Sequence, residues 1–226
     1  MLKTLTSLFL QSHCSLCDRV TPDNICPACD RQLQRQKFSH PERFWQGELP
    51  LFVWGQYNGI LKRSLATLKY NNQPELAQLL GYYLGQSWRS FVPTLTQKRF
   101  VLVPIPLHPR KLQERGFNQA ELLGRSFCRV TGDRLNSRLL LRQKDTQAMF
   151  GLSPQEREQN IKAAFSVQPP RRQIPPVLLI DDIYTTGTTA RSAATVLREN
   201  DIAVVGIVAI ATSSSLGQSA VGNRQS

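Results

Sequence analysis

Short runs of apolar residues alternate along this chain with amphipathic segments of helical period. Residues 177–180 form a continuous run of branched apolar side chains, which favours a strand buried on both faces. Residues 100–106, 137–143 and 203–209 predict further strands, and residues 51–59 predict a strand or hairpin that ends in a turn signal. Because strand, loop and helix repeat, we expect an α/β fold with a mostly parallel sheet and flanking helices.

Helical period separates these runs. Residues 60–70 and 74–88 predict two helices, and further helices are predicted to begin near Phe117 and at Thr188. Ser153 opens a capping box with proline at the first helical position, which predicts another helix start. The polar residues 144–152 before it, which include Met149, are typical of a mobile active-site loop.

The stretch VLLIDDIYTTGTTARS, residues 177–192, carries the clearest chemistry. Asp181 and Asp182 are expected at the carboxyl end of a strand, facing the solvent crevice where α/β proteins bind ligands. Residues 185–189 then lead into a helix N-terminus, whose free N–H groups and dipole attract an anion. Gly187 lets the backbone approach that anion closely. Carboxylates can accept hydrogen bonds from vicinal sugar hydroxyls, and the adjacent loop can bind a phosphate, so the stretch predicts a sugar-phosphate site. An Asp-Asp turn followed by a threonine helix cap is the alternative interpretation of the same residues.

The same acidic strand end also occurs in P-loop ATPases. That class requires the string G-x-x-x-x-G-K-[ST]. The string is missing from all 226 residues, which excludes this class.

Cys14, Cys17, Cys26 and Cys29 form two C-x-x-C pairs separated by eight residues. Paired C-x-x-C sequences can complete a tetrahedral thiolate site, so the pattern predicts a structural zinc ion. A disulfide framework is the alternative, and it requires an oxidising compartment. His13 is interpreted as a bystander, because four cysteines already fill the coordination shell.

A fifth cysteine, Cys128, lies in an amphipathic segment. We interpret it as a buried apolar residue rather than a ligand.

The chain has a formal net charge of +12 and a sequence pI near 10.0, which favours anionic partners or simply solubility. Residues 98–144 concentrate the excess, with 11 basic and 3 acidic side chains. No apolar run is long enough to span a membrane, and residues 1–14 lack a signal-peptide cleavage site, so we expect a cytoplasmic protein.

Basic residues follow the second predicted strand. The loop at residues 107–116 carries His108, Arg110, Lys111 and Arg115, which can neutralise a diphosphate or simply be solvated. Lys69 ends the first long helix, where it is either a ligand contact or a solvated lysine that the helix dipole favours.

The stretch at residues 177–192 resembles the phosphoribosyl-diphosphate (PRPP) motif of type I phosphoribosyltransferases, and the whole chain resembles the ComF family, whose members add an N-terminal cysteine ribbon. The resemblance implies a type I phosphoribosyltransferase-like fold over about residues 51–211, with PRPP and Mg²⁺ as ligands. It further implies that the basic loop binds the pyrophosphate and that Asp181 and Asp182 hold the ribose hydroxyls and serve catalysis. The implied PRPP-binding set is Asp181, Asp182, Thr185, Thr186, Gly187, Thr188, Thr189, Arg110, Arg115 and Lys69.

From composition and resemblance together we expect three regions. Residues 1–48 are a zinc ribbon and connector, residues 49–211 a phosphoribosyltransferase-like domain, and residues 212–226 a disordered tail.

The residues identify no acceptor for a transfer reaction, so a second class of function stays open. ComF-like proteins are associated with DNA uptake in natural competence, which implies a non-catalytic PRPP-responsive protein that contacts single-stranded DNA or the uptake machinery. Phe38, Phe44 and Trp45 alternate with basic residues and can stack bases, although a hydrophobic seam between lobes is the commoner explanation for such a mixture.

Overall fold

The computed structural model describes residues 12–71, 73–96, 99–143, 164–170 and 172–213. Segments predicted to form a mobile loop (144–152, with Met149), a helix start at Ser153 and most of a disordered tail (214–226) lie outside these residues. The helices are α1 (Pro27–Gln34), α2 (Gly59–Tyr70), α3 (Glu75–Phe91), α4 (Pro109–Arg115), α5 (Gln119–Thr131) and α6 (Thr188–Arg198). The strands are β1 (Leu51–Gln56), β2 (Val101–Pro104), β3 (Arg134–Leu135), β4 (Leu140–Arg142), β5 (Phe165–Val167), β6 (Val177–Tyr184) and β7 (Val204–Thr212).

Five strands form one parallel sheet in the order β1-β7-β6-β2-β3. The central strand β6 pairs with β2 on one side and β7 on the other, and Val177 to Ile180 are fully buried. This burial explains the continuous apolar run, because both faces of the strand are covered. The expected mostly parallel α/β sheet with flanking helices is confirmed.

Helices cover the sheet on both faces. Leu178 and Ile180 face a core built with α2, α3 and α5, in which Leu65 and Phe127 are fully buried. On the other face, Val177 and Leu179 pack against the alanines and the one leucine of α6. The small residues of α6 allow it to lie close to the sheet.

Two sequence predictions need correction. The strand predicted at residues 137–143 is shorter, β4, and lies outside the parallel sheet, where it pairs antiparallel with β5. The basic loop at residues 107–116 contains helix α4, which His108 caps by accepting from the N–H of Arg110. Proline at its first position and Gly116 at φ +80° after its end are ordinary helix signals that the charge pattern obscured.

The cysteine-rich segment shares its core with the sheet domain. Cys29 and Leu33 belong to the same apolar cluster as Trp54. The hydroxyl of Tyr83 in α3 donates to Asp30 of α1, and Phe38 N–H donates to Trp54 C=O at 2.8 Å. Residues 29–38 are therefore bound to the sheet domain by apolar and polar contacts.

The tail predicted for residues 212–226 includes one residue that belongs to the sheet. Thr212, which the sequence assigned to the tail, is the last residue of β7 and is 1% exposed. Among the described helices, none combines the length and the apolar character that crossing a membrane requires.

Candidate functional site

The carboxyl ends of the parallel strands converge around Asp181 and Asp182. Ile105, just after β2, donates its N–H to Ile180 C=O at 2.9 Å, so the α4 segment starts beside the two aspartates. Strand β6 continues to Tyr184, whose C=O accepts from the hydroxyl of Thr212 at 2.8 Å. The aspartates thus lie inside the final part of the strand.

Asp182 is held by Lys69. The Lys69 ammonium, in the last turn of α2, lies 2.5 Å from a carboxylate oxygen of Asp182. Asp182 is only 8% exposed, so the expectation that both carboxylates face the solvent crevice is wrong for this residue. Asp182 extends the face of β6 that carries Leu178 and Ile180, the face α2 covers, and the fold thereby brings Lys69 to it.

Asp181 has a different environment. One carboxylate oxygen accepts from the N–H of Asp182 at 2.8 Å. Burial raises the pKa of Asp181 well above its ordinary value, the negative charge of Asp182 raises it further, and Lys69 lowers it only in part. A cation close to a carboxyl with a raised pKa would stabilise its ionised form and so lower that pKa.

The loop at residues 185–189 leads into α6 through a glycine in the left-handed conformation. Gly187 precedes α6 with φ +75°, a conformation that favours glycine. The hydroxyls of Thr186 and Thr188 lie 2.9 Å apart, and Thr186 also accepts weakly from Thr188 N–H at 3.5 Å. Thr185 and Thr186 are exposed, while Thr188 and Thr189 are half-buried.

Tyr184 and Arg191 belong to this loop, and sequence reasoning missed both. The Tyr184 hydroxyl and the Arg191 Nη1 both lie within 2.6 Å of the position that a Cβ on Gly187 would take. Two further donors therefore converge on the glycine, and together they bury it. The spacing of Arg191, one helical turn after Gly187, was the available signal.

The basic helix α4 contributes unevenly. The guanidinium carbon of Arg115 lies 5.8 Å from the ring centroid of Tyr70, the residue after Lys69. Arg110 instead forms an exposed ion pair with Glu114 at 3.0 Å, one turn along the same helix. Thus, of the two arginines predicted to bind ligand, Arg115 contacts the end of α2, whereas Arg110 contacts its own helix.

The four predicted cysteine ligands lie together. Their sulfur atoms are all within 4.8 Å of one another, and the Sγ atoms of Cys17 and Cys26 are 3.6 Å apart. Sulfurs of a tetrahedral zinc site with bonds of about 2.3 Å lie about 3.8 Å apart, whereas a disulfide requires about 2.05 Å. Donor type and spacing fit a structural zinc ion, and the predicted clustering of these cysteines is confirmed.

Backbone N–H groups stabilise the thiolates of Cys14 and Cys26, whereas burial raises the pKa of Cys29. Burial alone raises the pKa of Cys14, but N–H groups of Cys26 and Leu16 lower it to about 6. Cys26 caps α1, and the N–H of Cys29 lowers the Cys26 pKa despite burial. By contrast, burial and then the negative charge of Asp133 raise the pKa of Cys128 to about 12; Cys128 is half-buried rather than fully buried as predicted, and it lies outside the metal-binding cluster.

The aromatic residues of the connector are engaged in packing. Trp45 makes edge contacts with Trp88 at 5.2 Å and Phe91 at 5.6 Å, which makes it part of the hydrophobic seam. Phe38 and Phe44 contact each other, and the Arg43 guanidinium lies over both rings. These contacts favour the seam over an open surface for stacking bases.

Opposite stability changes are expected at the two aspartates. Asp181→Asn removes a carboxyl whose pKa is raised in the folded state. A carboxyl with a raised folded-state pKa destabilises the fold once the pH exceeds the pKa that it has in the unfolded chain. This variant is therefore expected to raise the Tm at pH 7, and the gain should vanish near pH 4. Asp182→Asn leaves the half-buried Lys69 charge unpaired and is expected to cost about 1–3 kcal/mol at pH 7. Thermal melts at both pH values measure this, and shifts of the same sign at pH 7 would contradict it.

Several characterised proteins are similar in sequence over most of the chain. No family model matches. Competence protein ComFC of Bacillus subtilis is 31% identical over 186 residues, which cover 78% of this chain and 72% of that protein. Competence protein F of Haemophilus influenzae is 30% identical over 66% of each chain. The DNA utilization protein YhgH of Salmonella typhimurium is 29% identical over 85% of this chain and 86% of its own.

Solved structures also show similarity, at lower identity. The adenine phosphoribosyltransferase of Leishmania donovani aligns with a TM-score of 0.41 and 17% identity, over 85% of this chain and 71% of that one.

Proposed function

The chain belongs to the ComF family, and from this premise we propose that it binds a phosphoribosyl ligand such as PRPP, together with Mg²⁺, at the carboxyl edge of its sheet. Its role in this proposal lies in DNA uptake during natural competence. The competence and DNA-utilization names of its relatives support that role.

One observation carries the ligand proposal: an acidic pair and a glycine-containing helix N-terminus lie at the same strand end. Asp181, the more exposed of the two, is the acceptor for the ribose hydroxyls, while the buried Asp182 holds Lys69 beside the site. The N–H groups and hydroxyls of residues 185–189 hold the 5′-phosphate. Lys69, beside Asp182, and Arg115, beside the end of α2, supply positive charge for the diphosphate.

The donor set also fits Mg²⁺, which prefers carboxylate and phosphate oxygens. Asp181 is half-buried beside Asp182; its partial burial and the negative charge of Asp182 raise its pKa, and a divalent cation would stabilise its ionised form. When bound, Mg²⁺ would neutralise diphosphate charge. The chain's own residues orient the ribose and hold the phosphate, which is the positioning that pentosyl transfer requires.

A non-catalytic role for the same site is the second candidate. The net charge of +12 favours an anionic partner, and single-stranded DNA or the uptake machinery are the candidates in a competence protein. Under this alternative, the phosphoribosyl ligand regulates the protein, and no pentosyl transfer to an acceptor takes place.

Calorimetry with PRPP and Mg²⁺ tests the ligand proposal. Thr186→Ala and Thr188→Ala are each expected to weaken binding about tenfold or more, because a hydrogen bond to a charged group is worth about 1.5–3 kcal/mol. Thr195→Ala, two turns further along α6, is the matched control and is expected to bind like the wild type. Absence of binding to the wild type, or equal affinities throughout the set, would exclude the proposed site.

A further inference from the structure

The side chain of Arg191 lies over the start of the helix to which it belongs. Arg191 is in the early part of α6, which begins at Thr188, and side chains in an α-helix point toward its amino end. The Arg191 Nη1 atom is 2.6 Å from the position that a Cβ on Gly187 would take, where the Tyr184 hydroxyl also lies. The guanidinium therefore lies against the glycine turn that is proposed to hold the phosphate.

This position brings two positive charges together. The amino end of a helix carries about half a positive charge, so it repels a guanidinium beside it. The first turn of α6 has no acidic residue, and within the described part of the chain no carboxylate forms an ion pair with Arg191. Arg191 is an exposed residue, so burial does not explain why its charge lies here.

The combined charge matches a terminal phosphate better than a phosphate inside a nucleic-acid backbone. The helix end and the guanidinium together supply a charge of about +1.5. A phosphate monoester carries about −1.5 to −2 at pH 7 and presents three free oxygen atoms, whereas each phosphodiester of DNA carries about −1. The planar guanidinium can donate two parallel hydrogen bonds to such oxygens.

We propose that Arg191 binds the 5′-phosphate of the phosphoribosyl ligand and makes the site selective for dianionic phosphate monoesters over monoanionic esters of similar shape. This inference rests on the proposed function, because the sugar phosphate must first reach the loop at residues 185–189. The Tyr184 hydroxyl is a further donor at the same point. Internal phosphodiesters of DNA are correspondingly poor ligands for this loop.

The experiment compares two ligands of similar shape and different charge. Calorimetry at about pH 7.5 measures the affinities of ribose 5-phosphate, a dianion, and ribose 5-sulfate, a monoanion. The wild type is expected to prefer the phosphate by roughly tenfold or more. Arg191→Gln is expected to bind ribose 5-phosphate roughly tenfold to hundredfold more weakly and to lose most of this preference, because a hydrogen bond to a charged group is worth about that factor. Arg191→Lys keeps the charge without the planar fork and should lie between the two.

Arg89→Gln is the matched control. It removes the same charge from an exposed position in the last turn of α3, so both ligands should bind it like the wild type. Thermal melts without ligand add a second readout. Arg191→Gln is expected to raise the Tm by about 1–4 °C, because it relieves the repulsion at the helix end.

The outcomes separate this inference from the proposed function. If neither ribose 5-phosphate nor PRPP with Mg²⁺ binds the wild type, the proposed function itself is overturned. If these ligands bind but Arg191→Gln keeps the wild-type affinity, Arg191 does not contact the phosphate. An equal loss for phosphate and sulfate together with a lower Tm would show that Arg191 only supports the turn, which also overturns the inference.

Discussion

Replacing Cys29 with serine is expected to abolish zinc binding and to lower stability by about 3–5 kcal/mol, equivalent to about 6–20 °C in Tm. The Cys29 side chain is buried, 3% exposed, and shares an apolar cluster with Leu33 and Trp54. Loss of the metal would leave buried thiols without their common partner and would loosen the packing of α1 against the sheet domain. Metal analysis of protein purified without chelator should give about one zinc per wild-type chain and none for the variant.

Cys128→Ser is the matched control for this experiment. Cys128 is half-buried in α5, outside the metal-binding cluster, so the same chemical change is expected to cost some stability but to leave the zinc content at about one. Zinc retained by Cys29→Ser, or no zinc in the wild type, would contradict a four-cysteine site.

Gly187→Val is expected to abolish binding of PRPP and Mg²⁺, with a loss of about hundredfold or more. Valine strongly disfavours φ +75°, which costs at least about 1–2 kcal/mol. Its side chain would also collide with the Tyr184 hydroxyl and the Arg191 guanidinium, which lie over the glycine. Either response, a changed loop or displaced donors, removes the surface proposed to hold the phosphate. Calorimetry with PRPP measures the affinity, and thermal melts measure the cost in stability.

Gly132→Val separates backbone strain from the collision. Gly132 has nearly the same conformation, φ +80° and ψ 3° against φ +75° and ψ 0°, but nothing lies within 4 Å of its Cβ position. It follows α5 and precedes β3, so it lies at the amino ends of the parallel strands, whereas residues 185–189 lie at their carboxyl ends. Gly132→Val should therefore lose stability and keep its affinity. Equal affinity in the two variants would mean that the loop only caps α6.

Cysteine spacing and the strand-acid-glycine-helix order are local signals, and the sequence predicted what depends on them. Cys14 and Cys17 flank a turn, and Cys26 and Cys29 lie at the start of α1, so chain geometry within each pair already brings the sulfurs together. The run before Asp181 indicated a doubly buried strand, and the glycine at 187 marked the turn into α6. In these places, the residues that interact are neighbours in the chain.

Contacts between distant segments were decided by the tertiary structure alone. Lys69 reaches Asp182 across more than a hundred residues because α2 covers that face of β6, and no periodicity encodes which face a helix covers. Strand β4 lies outside the parallel sheet and pairs with β5, from which a long segment of chain separates it. The sequence by itself therefore determined the long buried strands and main helices, the cysteine cluster and the glycine turn before α6. Tertiary packing decided that Asp182 is buried and that Arg115 lies against Tyr70. It also decided that Tyr184 and Arg191 cover Gly187. Burial and side-chain contacts of this kind depend on residues that only the fold brings together.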